Sequence, residues 1–149
     1  GVDRLSGGAG RDRLDGGDDG DLLDGGADDD RLDGGKGDDI LGGGDGDDRL
    51  KGGQGDDLLE GGAGDDRLWG QSGADTFVFA PGDGDDRLHG FEVGEDVLDL
   101  TAFGFESVEA ALALASEGRG GVRLALDETT SLRLHDVGVE QLAEADILI

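Results

Sequence analysis

A nine-residue unit repeats through the first half of this chain, and no other feature restricts the fold as much. Counted from the first glycine of each pair, units begin at Gly7, Gly16, Gly25, Gly34, Gly43, Gly52, Gly61 and Gly70. Seven complete units fill residues 7–69 without a gap, and GVDRLS (1–6) fits the end of an earlier one. The sixth position is always acidic, from Asp3 and Asp12 through to Asp66 and Asp75. The eighth is always large and apolar, from Leu5 and Leu14 through to Leu68 and Phe77. Two inserted residues, Phe79 and Ala80, precede a last echo, PGDGDDRLH, at Pro81–His89. A solvated linker needs neither a leucine at every ninth residue nor a fixed slot for aspartate, so the period points to a stacked repeat architecture.

Glycine at positions one, two and four allows positive φ and a tight bend that turns carbonyl oxygens inward. The position-six aspartate adds a carboxylate at the mouth of that turn. Hard oxygen donors of this kind suit calcium, which takes about 6–8 of them. Positions seven to nine remain for a strand of roughly 10 Å, too short to stand alone. Position eight then faces inward, and its neighbours face outward. Position seven alternates strictly between arginine and aliphatic: Arg13, Leu22, Arg31, Ile40, Arg49, Leu58, Arg67. Each kind therefore recurs after two units, which describes a two-sided coil with arginines on one sheet and aliphatics on the other. Coils of this type stack about 4.8 Å apart.

Composition narrows the partners. With 38 acidic and 12 basic residues and a net charge of -26, the surface repels phosphate, so nucleic acid and anionic membranes are excluded and cations are favoured. There is no cysteine to form a disulfide or thiolate site. No apolar run is long enough to span a membrane. The absence of methionine and the start in mid-pattern mark the chain as a piece of a longer protein. No EF-hand, Ser-His-Asp spacing, HExxH or phosphate loop is present, so no catalytic residue is expected. His89 and His135 are read without a metal role, Trp69 as covered by the C-terminal region, and the arginines as paired with acids at position nine such as Asp15 and Asp33.

The stretch GGKGDDILG, Gly34–Gly42, and its neighbours match G-G-x-G-x-D-x-U-x. The chain thus resembles the RTX, or hemolysin-type, calcium-binding repeat family. The resemblance implies an all-β fold: a right-handed parallel β-roll with two nonapeptides per coil, closed by a small mixed C-terminal cap. It also implies calcium between a turn and the turn one coil later. The earlier turn gives the carbonyls of positions two and four plus its Asp, and the later turn gives the carbonyls of positions one and three plus its Asp. Carried over, Gly8, Gly10 and Asp12 face Gly25, Ala27 and Asp30, while Gly17, Asp19 and Asp21 face Gly34, Lys36 and Asp39. Gly26, Asp28 and Asp30 face Gly43, Asp45 and Asp48, and Gly35, Gly37 and Asp39 face Gly52, Gln54 and Asp57. Gly44, Gly46 and Asp48 face Gly61, Ala63 and Asp66, and Gly53, Gly55 and Asp57 face Gly70, Ser72 and Asp75. Asp19 and Asp28 depart from the pattern by replacing glycine at position four. This arrangement holds about six Ca2+ ions, with one or two more at the ends.

The repeats end at residue 78, giving a roll (1–78) and a second region (79–149) of degenerate coils, cap and secretion signal. In that region Ser107–Ser116 reads as a helix capped by Ser107. Val122–Leu126 and Ser131–His135 alternate as two strands, and Val139–Ala145 reads as one or two helical turns. The final Asp146-Ile147-Leu148-Ile149 is similar to the tail of several type I secreted proteases. Leu22, Ile40, Leu58 and Val78 form an outward apolar stripe that the cap is expected to cover in part, around Leu58 and Val78. The function implied is a secreted, extracellular module that is disordered without calcium, folds on binding it, uses the type I secretion machinery transiently and supports an upstream domain. The alternative is a polysaccharide-binding R-module, as in secreted alginate epimerases, or an adhesin segment.

Overall fold

The structure is a computed structural model that describes residues 1–118, 120–143 and 145–149. The repeats build eight strands of six residues: β1 (Arg4–Ala9), β2 (Arg13–Asp18), β3 (Leu22–Ala27), β4 (Arg31–Lys36), β5 (Ile40–Asp45), β6 (Arg49–Gln54), β7 (Leu58–Ala63) and β8 (Arg67–Ser72). They are followed by β9 (Thr76–Val78), β10 (Asp85–His89) and β11 (Val97–Asp99), a 3-10 turn at Thr101–Phe103, and helix α1 (Val108–Leu112). Then come β12 (Ala115–Gly118), β13 (Gly121–Ala125), β14 (Ser131–His135), α2 (Val139–Leu142) and β15 (Asp146–Leu148). Odd strands form one sheet in the order β1-β3-β5-β7-β9-β11-β15, and the other runs β12-β13-β14-β10-β8-β6-β4-β2. The repeat strands pair in parallel with the strand one coil on, so Leu23 meets Leu41, Leu41 meets Leu59 and Leu59 meets Phe77.

The strands are twice as long as the three residues expected from the sequence. Each runs on through the glycine pair into position three of the next unit, because ladder pairing continues there: Gly35 lies beside Gly53 and Lys36 beside Gln54. In β4 the leucine and the position-one glycine are both buried, while their neighbours face outward. The core is the row of position-eight side chains between the sheets, with Leu41, Leu50, Leu59, Leu68 and Phe77 fully buried. Burying such a row is the main apolar contribution to the fold.

Both sheets run past residue 78, and the C-terminal region extends them rather than folding back. β14 pairs in parallel with β10 and in antiparallel with β13, while β15 pairs in parallel with β11. Arg123 and Ser131 both bond Asp85, tying the hairpin to the roll. Ala111 of α1 and Leu142 of α2 join the core. These elements cover the end of the roll, where open strand edges would otherwise pair with other chains.

Three expectations about this region are corrected. The helix read over Ser107–Ser116 spans only Val108–Leu112; its Ser107 cap holds, accepting the Ala110 N–H at 3.2 Å, but Ala115–Gly118 is captured as a strand by β13. The cap leaves the apolar stripe open, since it stacks along the roll axis: Leu58 is 36% exposed and Ile40 50%. Val78 does not belong to that stripe, because it lies beside Glu60 while Leu58 lies beside Thr76.

Candidate metal centre

The turns take their shape from position-specific backbone. Positions two and four carry positive φ, as at Gly35 (107°), Gly37 (112°), Gly53 (125°) and Gly55 (122°). Asp19 and Asp28 hold the same left-handed geometry at position four with φ of 80° and 76°. Position one is glycine for a different reason, namely space. A methyl group on Gly16 would lie 2.6 Å from the Gly34 carbonyl oxygen and 2.7 Å from Asp21 Oδ2. The missing side chain leaves a slot between a carboxylate and a carbonyl of the following coil.

The same slot recurs along both columns of turns. The carbonyls of Gly35 and Gly37 point toward Gly53 and Gly55, and the Gly52 carbonyl points back toward Gly34 at 2.7 Å from where a Cβ would stand. The Gln54 carbonyl also points back, accepting the Gly37 N–H at 2.7 Å. The carbonyls of Gly35, Gly37, Gly52 and Gln54 and the free oxygen of Asp39 thus lie along the two facing turns, with the Gln54 carbonyl already accepting one hydrogen bond. In the other column Gly44 and Gly46 face Gly62 and Gly64, and Gly46 donates to Ala63 O at 2.8 Å. The turns with aspartate at position four differ: among the described residues, neither Asp19 nor Asp28 donates its N–H to Lys36 or Asp45. At the last repeat the Ser72 hydroxyl donates to the Gly53 carbonyl at 3.2 Å, which competes for one of that slot's oxygens.

From Asp21 onward each position-six carboxylate touches two coils. Its Oδ1 accepts the backbone N–H of the aspartate one coil earlier: Asp21 to Asp39 at 2.7 Å, Asp30 to Asp48 at 2.7 Å, Asp39 to Asp57 at 2.8 Å and Asp48 to Asp66 at 2.8 Å. Its Oδ2 is buried beside the position-one glycine without a hydrogen-bond partner in Asp12, Asp21, Asp30, Asp39, Asp48, Asp57, Asp66 and Asp75. An unsatisfied buried oxygen is costly, and eight in register are not incidental. Desolvation raises the carboxyls of Asp39, Asp48, Asp57, Asp66 and Asp75 against the opposing backbone hydrogen bond, to about 6 in Asp48 and Asp75 and to about 7 in Asp57 and Asp66. Buried carboxylates that resist ionising, faced by inward carbonyls, form a donor set that fits a hard divalent cation. Among the described residues no three acidic or imidazole side chains converge on one point, so the slots are carbonyl-rich and hold few side-chain ligands each.

Two aspartates outside the expected set make the same Oδ1 bond, although the Asp96 Oδ2 is not free, since it accepts the Glu92 N–H at 2.8 Å. Asp86 accepts the Asp66 N–H and Asp96 accepts the Asp75 N–H, each at 3.0 Å. Burial raises Asp96 and pushes Asp86 to about 8. The signal was the Asp-x-Leu triplet at 86–88 and 96–98, displaced from the period of nine by the insertions.

Residues 1–32, 15–50 and 42–77 match the family model of the RTX calcium-binding nonapeptide repeat, which covers just over half of the chain. The chain belongs to this family. Among solved structures, the RTX chain is similar to the AlgE6R3 subunit of the Azotobacter vinelandii mannuronan C5-epimerase, at 30% identity and a TM-score of 0.59, covering 82% of this chain and 78% of that one. No curated protein matches. The repeat region is thus a calcium-binding β-roll, a structural rather than a catalytic module. Among the described residues no helix is long and apolar enough to cross a membrane.

The outer face of the even-strand sheet departs from expectation. Arg13, Arg31, Arg49 and Arg67 lie side by side along β2, β4, β6 and β8, and the row continues through Arg87, Arg133 and Arg123. Among the described residues only Arg123 of this row makes an ion pair. The expected pairing with Asp15 and Asp33 is corrected, since Lys51 stands directly beside Asp33 in the ladder and bonds it at 3.0 Å. Trp69, expected under the cap, is half-buried and stacks on His89 at 4.9 Å, which stacks on His135 at 4.1 Å.

Proposed function

We propose that this RTX β-roll is a calcium-dependent folding module of a secreted protein, disordered where calcium is scarce and folded where it is abundant. The observation that carries the reading is the eight unpartnered, buried Oδ2 atoms, four in each column of turns. Without a cation they oppose the fold, because each must be stripped of water with no donor to replace it. Bound calcium supplies the positive charge that lets these carboxylates ionise in place, so binding free energy becomes folding free energy. The ligands we assign are the pairs of turns set out above, Gly35, Gly37 and Asp39 with Gly52, Gln54 and Asp57 being the most regular. Six such pairs give about six ions, and Asp86, which accepts the Asp66 N–H, continues one column.

Extracellular modules bind calcium at roughly 10⁻⁴–10⁻³ M. A chain tuned to that range stays extended inside a cell and folds outside it, which suits passage through a type I secretion channel. We assign residues 1–78 to the repeat roll and 79–149 to its last coils, cap and secretion region, in support of a domain upstream. Circular dichroism with millimolar calcium and with a chelator tests the core claim. A large gain of β structure on adding calcium is expected, and equal β content under both conditions would refute it.

A second reading, a glycan-binding module, is favoured by one observation: the arginine row, of which only Arg123 is ion-paired among the described residues, on a chain otherwise crowded with acid. The similar AlgE6R3 structure belongs to an enzyme named for mannuronan, a polysaccharide. The two readings are compatible, since one concerns what folds the roll and the other what its face holds.

A further inference from the structure

We infer that the stacked pair His89 and His135 is an acid-sensitive clasp, which holds the C-terminal hairpin on the roll while both rings are neutral and loosens it once they take up protons. The inference goes beyond the calcium reading and rests on it only because the clasp exists once calcium has folded the roll.

The pair stands at one joint. β10 closes the last echo of the nonapeptide, and β14 is the hairpin strand laid beside it. Arg87 pairs with Arg133 and Leu88 with Leu134, so His89 and His135 come next in the same register. On the far side of each ring stand Trp69 of β8 and Gly121 of β13. Three rings form one stack, with centroids 4.9 Å apart from Trp69 to His89 and 4.1 Å from His89 to His135, the two imidazoles within 7° of parallel. The repeat does not ask for these rings, since the same column upstream holds Asp15, Asp33 and Lys51.

Neutral imidazoles stack well, whereas two imidazolium rings at this separation repel. The surroundings offer little relief. Arg67 of β8 and Arg87 of β10 both disfavour charge on His89, Arg133 of β14 stands beside Arg87, and Arg123 is the charge on β13. Asp136, just past β14, acts the other way. The Trp69 face welcomes one cation, but His89 lies between it and His135. The Nε2 atom of the half-buried His135 is buried without a hydrogen-bond partner. On a neutral ring that atom is an unused acceptor; on an imidazolium it is an N–H with nothing to receive it. Burial first, then His135, Arg67 and Arg87, push His89 below the ordinary histidine value of about 6.5. With the folded value depressed, the clasp is at full strength above the unfolded value and is lost as pH falls from there through the folded one. This is opposite in sign to the position-six carboxyls, whose raised values favour the calcium-free roll in acid. Asp85 still ties the start of β14 through Ser131, so opening begins at the His135 end of the strand.

The test is nuclear magnetic resonance of the full chain in saturating calcium, following the ring C–H signals of both histidines from about pH 8 to 5. The His89 midpoint is expected below about 6.5, and closer to it in His135→Phe, which keeps a ring in the stack but cannot carry charge. Trp69, the one tryptophan, gives a second readout: its fluorescence is expected to drop at the His89 midpoint and to lose that step in His89→Phe. Amide exchange, corrected for its intrinsic pH dependence, is expected to quicken about tenfold or more in β13 and β14 between about pH 7.5 and 5.5, and by less than about twofold in β4–β6 or in the double variant His89→Phe and His135→Phe. A His89 midpoint at or above about 6.5, a midpoint that His135→Phe does not move, or equal quickening in the wild type and the double variant overturns this inference alone. The wild-type midpoint needs no variant to fold. Circular dichroism at the same calcium concentration separates the two claims, since a chain that does not fold with calcium overturns the calcium reading as well.

Discussion

Replacing Asp48 by Asn should change stability in opposite directions with and without calcium. Asp48 is fully buried. Its Oδ1 accepts the Asp30 N–H at 2.7 Å, its own N–H reaches Asp66 Oδ1 at 2.8 Å, and its Oδ2 has no partner. Asparagine can keep the acceptor that Asp30 needs while removing the charge. In a chelator the variant escapes the burial of an unpaired carboxylate, so the roll should gain about 1–3 kcal/mol. In calcium two slots lose one of their few charged donors, and each affected site should weaken about tenfold or more, since calcium affinity follows ligand charge. Asp48→Ala should be worse in calcium and gain less without it, because the Asp30 N–H is then left buried and unpaired. Urea melts give the stability in calcium, folding driven by a stabilising osmolyte gives it in chelator, and calorimetric titration counts the weakened sites. Destabilisation of equal size under both conditions, or a single weakened site, would refute the shared-carboxylate arrangement.

Folded-state carboxyls raised from 3.8 to about 6–8 stabilise the calcium-free roll fully below the unfolded value, and that contribution is lost as pH rises through the folded one. In a chelator, therefore, β content followed by circular dichroism should fall between roughly pH 4 and 8, while the calcium concentration needed for folding should fall over the same range as protons leave the slots. Gly34→Ala should abolish binding at its slot, because the methyl group meets Asp39 Oδ2 and the Gly52 carbonyl; Gly42→Ala, which meets nothing within 4 Å, should be neutral or stabilise by about 0.5–1 kcal/mol in thermal melts. Deleting residues 146–149 should lower the melting temperature by several degrees in saturating calcium, because β11 then loses its outer partner and Leu100 N–H its acceptor, Leu148 O.

The period of nine made the coil legible. Leu41 and Leu59 recur at one position because they stack in one row, and the alternation of Arg31 with Ile40 revealed two sheets before any coordinate did. The glycine pair misled in part. At Gly35 glycine permits a left-handed φ, whereas at Gly34 it leaves space, and the letter is the same for both. Reading both as turn cut the strands to half their length. The arginine pairing failed for a geometric reason: in-register parallel stacking places Lys51, not an arginine, directly beside Asp33. The cap was less legible because its pairings are long-range. Ala115–Gly118 follows a helical pattern but is claimed by β13, and Asp146–Leu148 becomes a strand only because β11 waits for it. Asp86 and Asp96 escaped because insertions moved them to offsets of 20 and 21 residues instead of 18.

The backbone N–H of each position-six aspartate is satisfied by a carboxylate belonging to the next coil, never the previous one. That asymmetry gives assembly a direction. The exposed position-five N–H groups of Asp47, Asp56 and Asp65 reach back to the previous coil, so the direction belongs to the buried bonds alone. The last members of that buried series, Asp66 and Asp75, are satisfied by Asp86 and Asp96 at the cap. Ordering is therefore expected to begin where the chain stops repeating and to advance toward Gly1, each finished coil serving as template for the one before. Amide exchange should map this as a slope, slowest around β8 and β10 and fastest at β1, with the repeat read in reverse of the order in which it is synthesised.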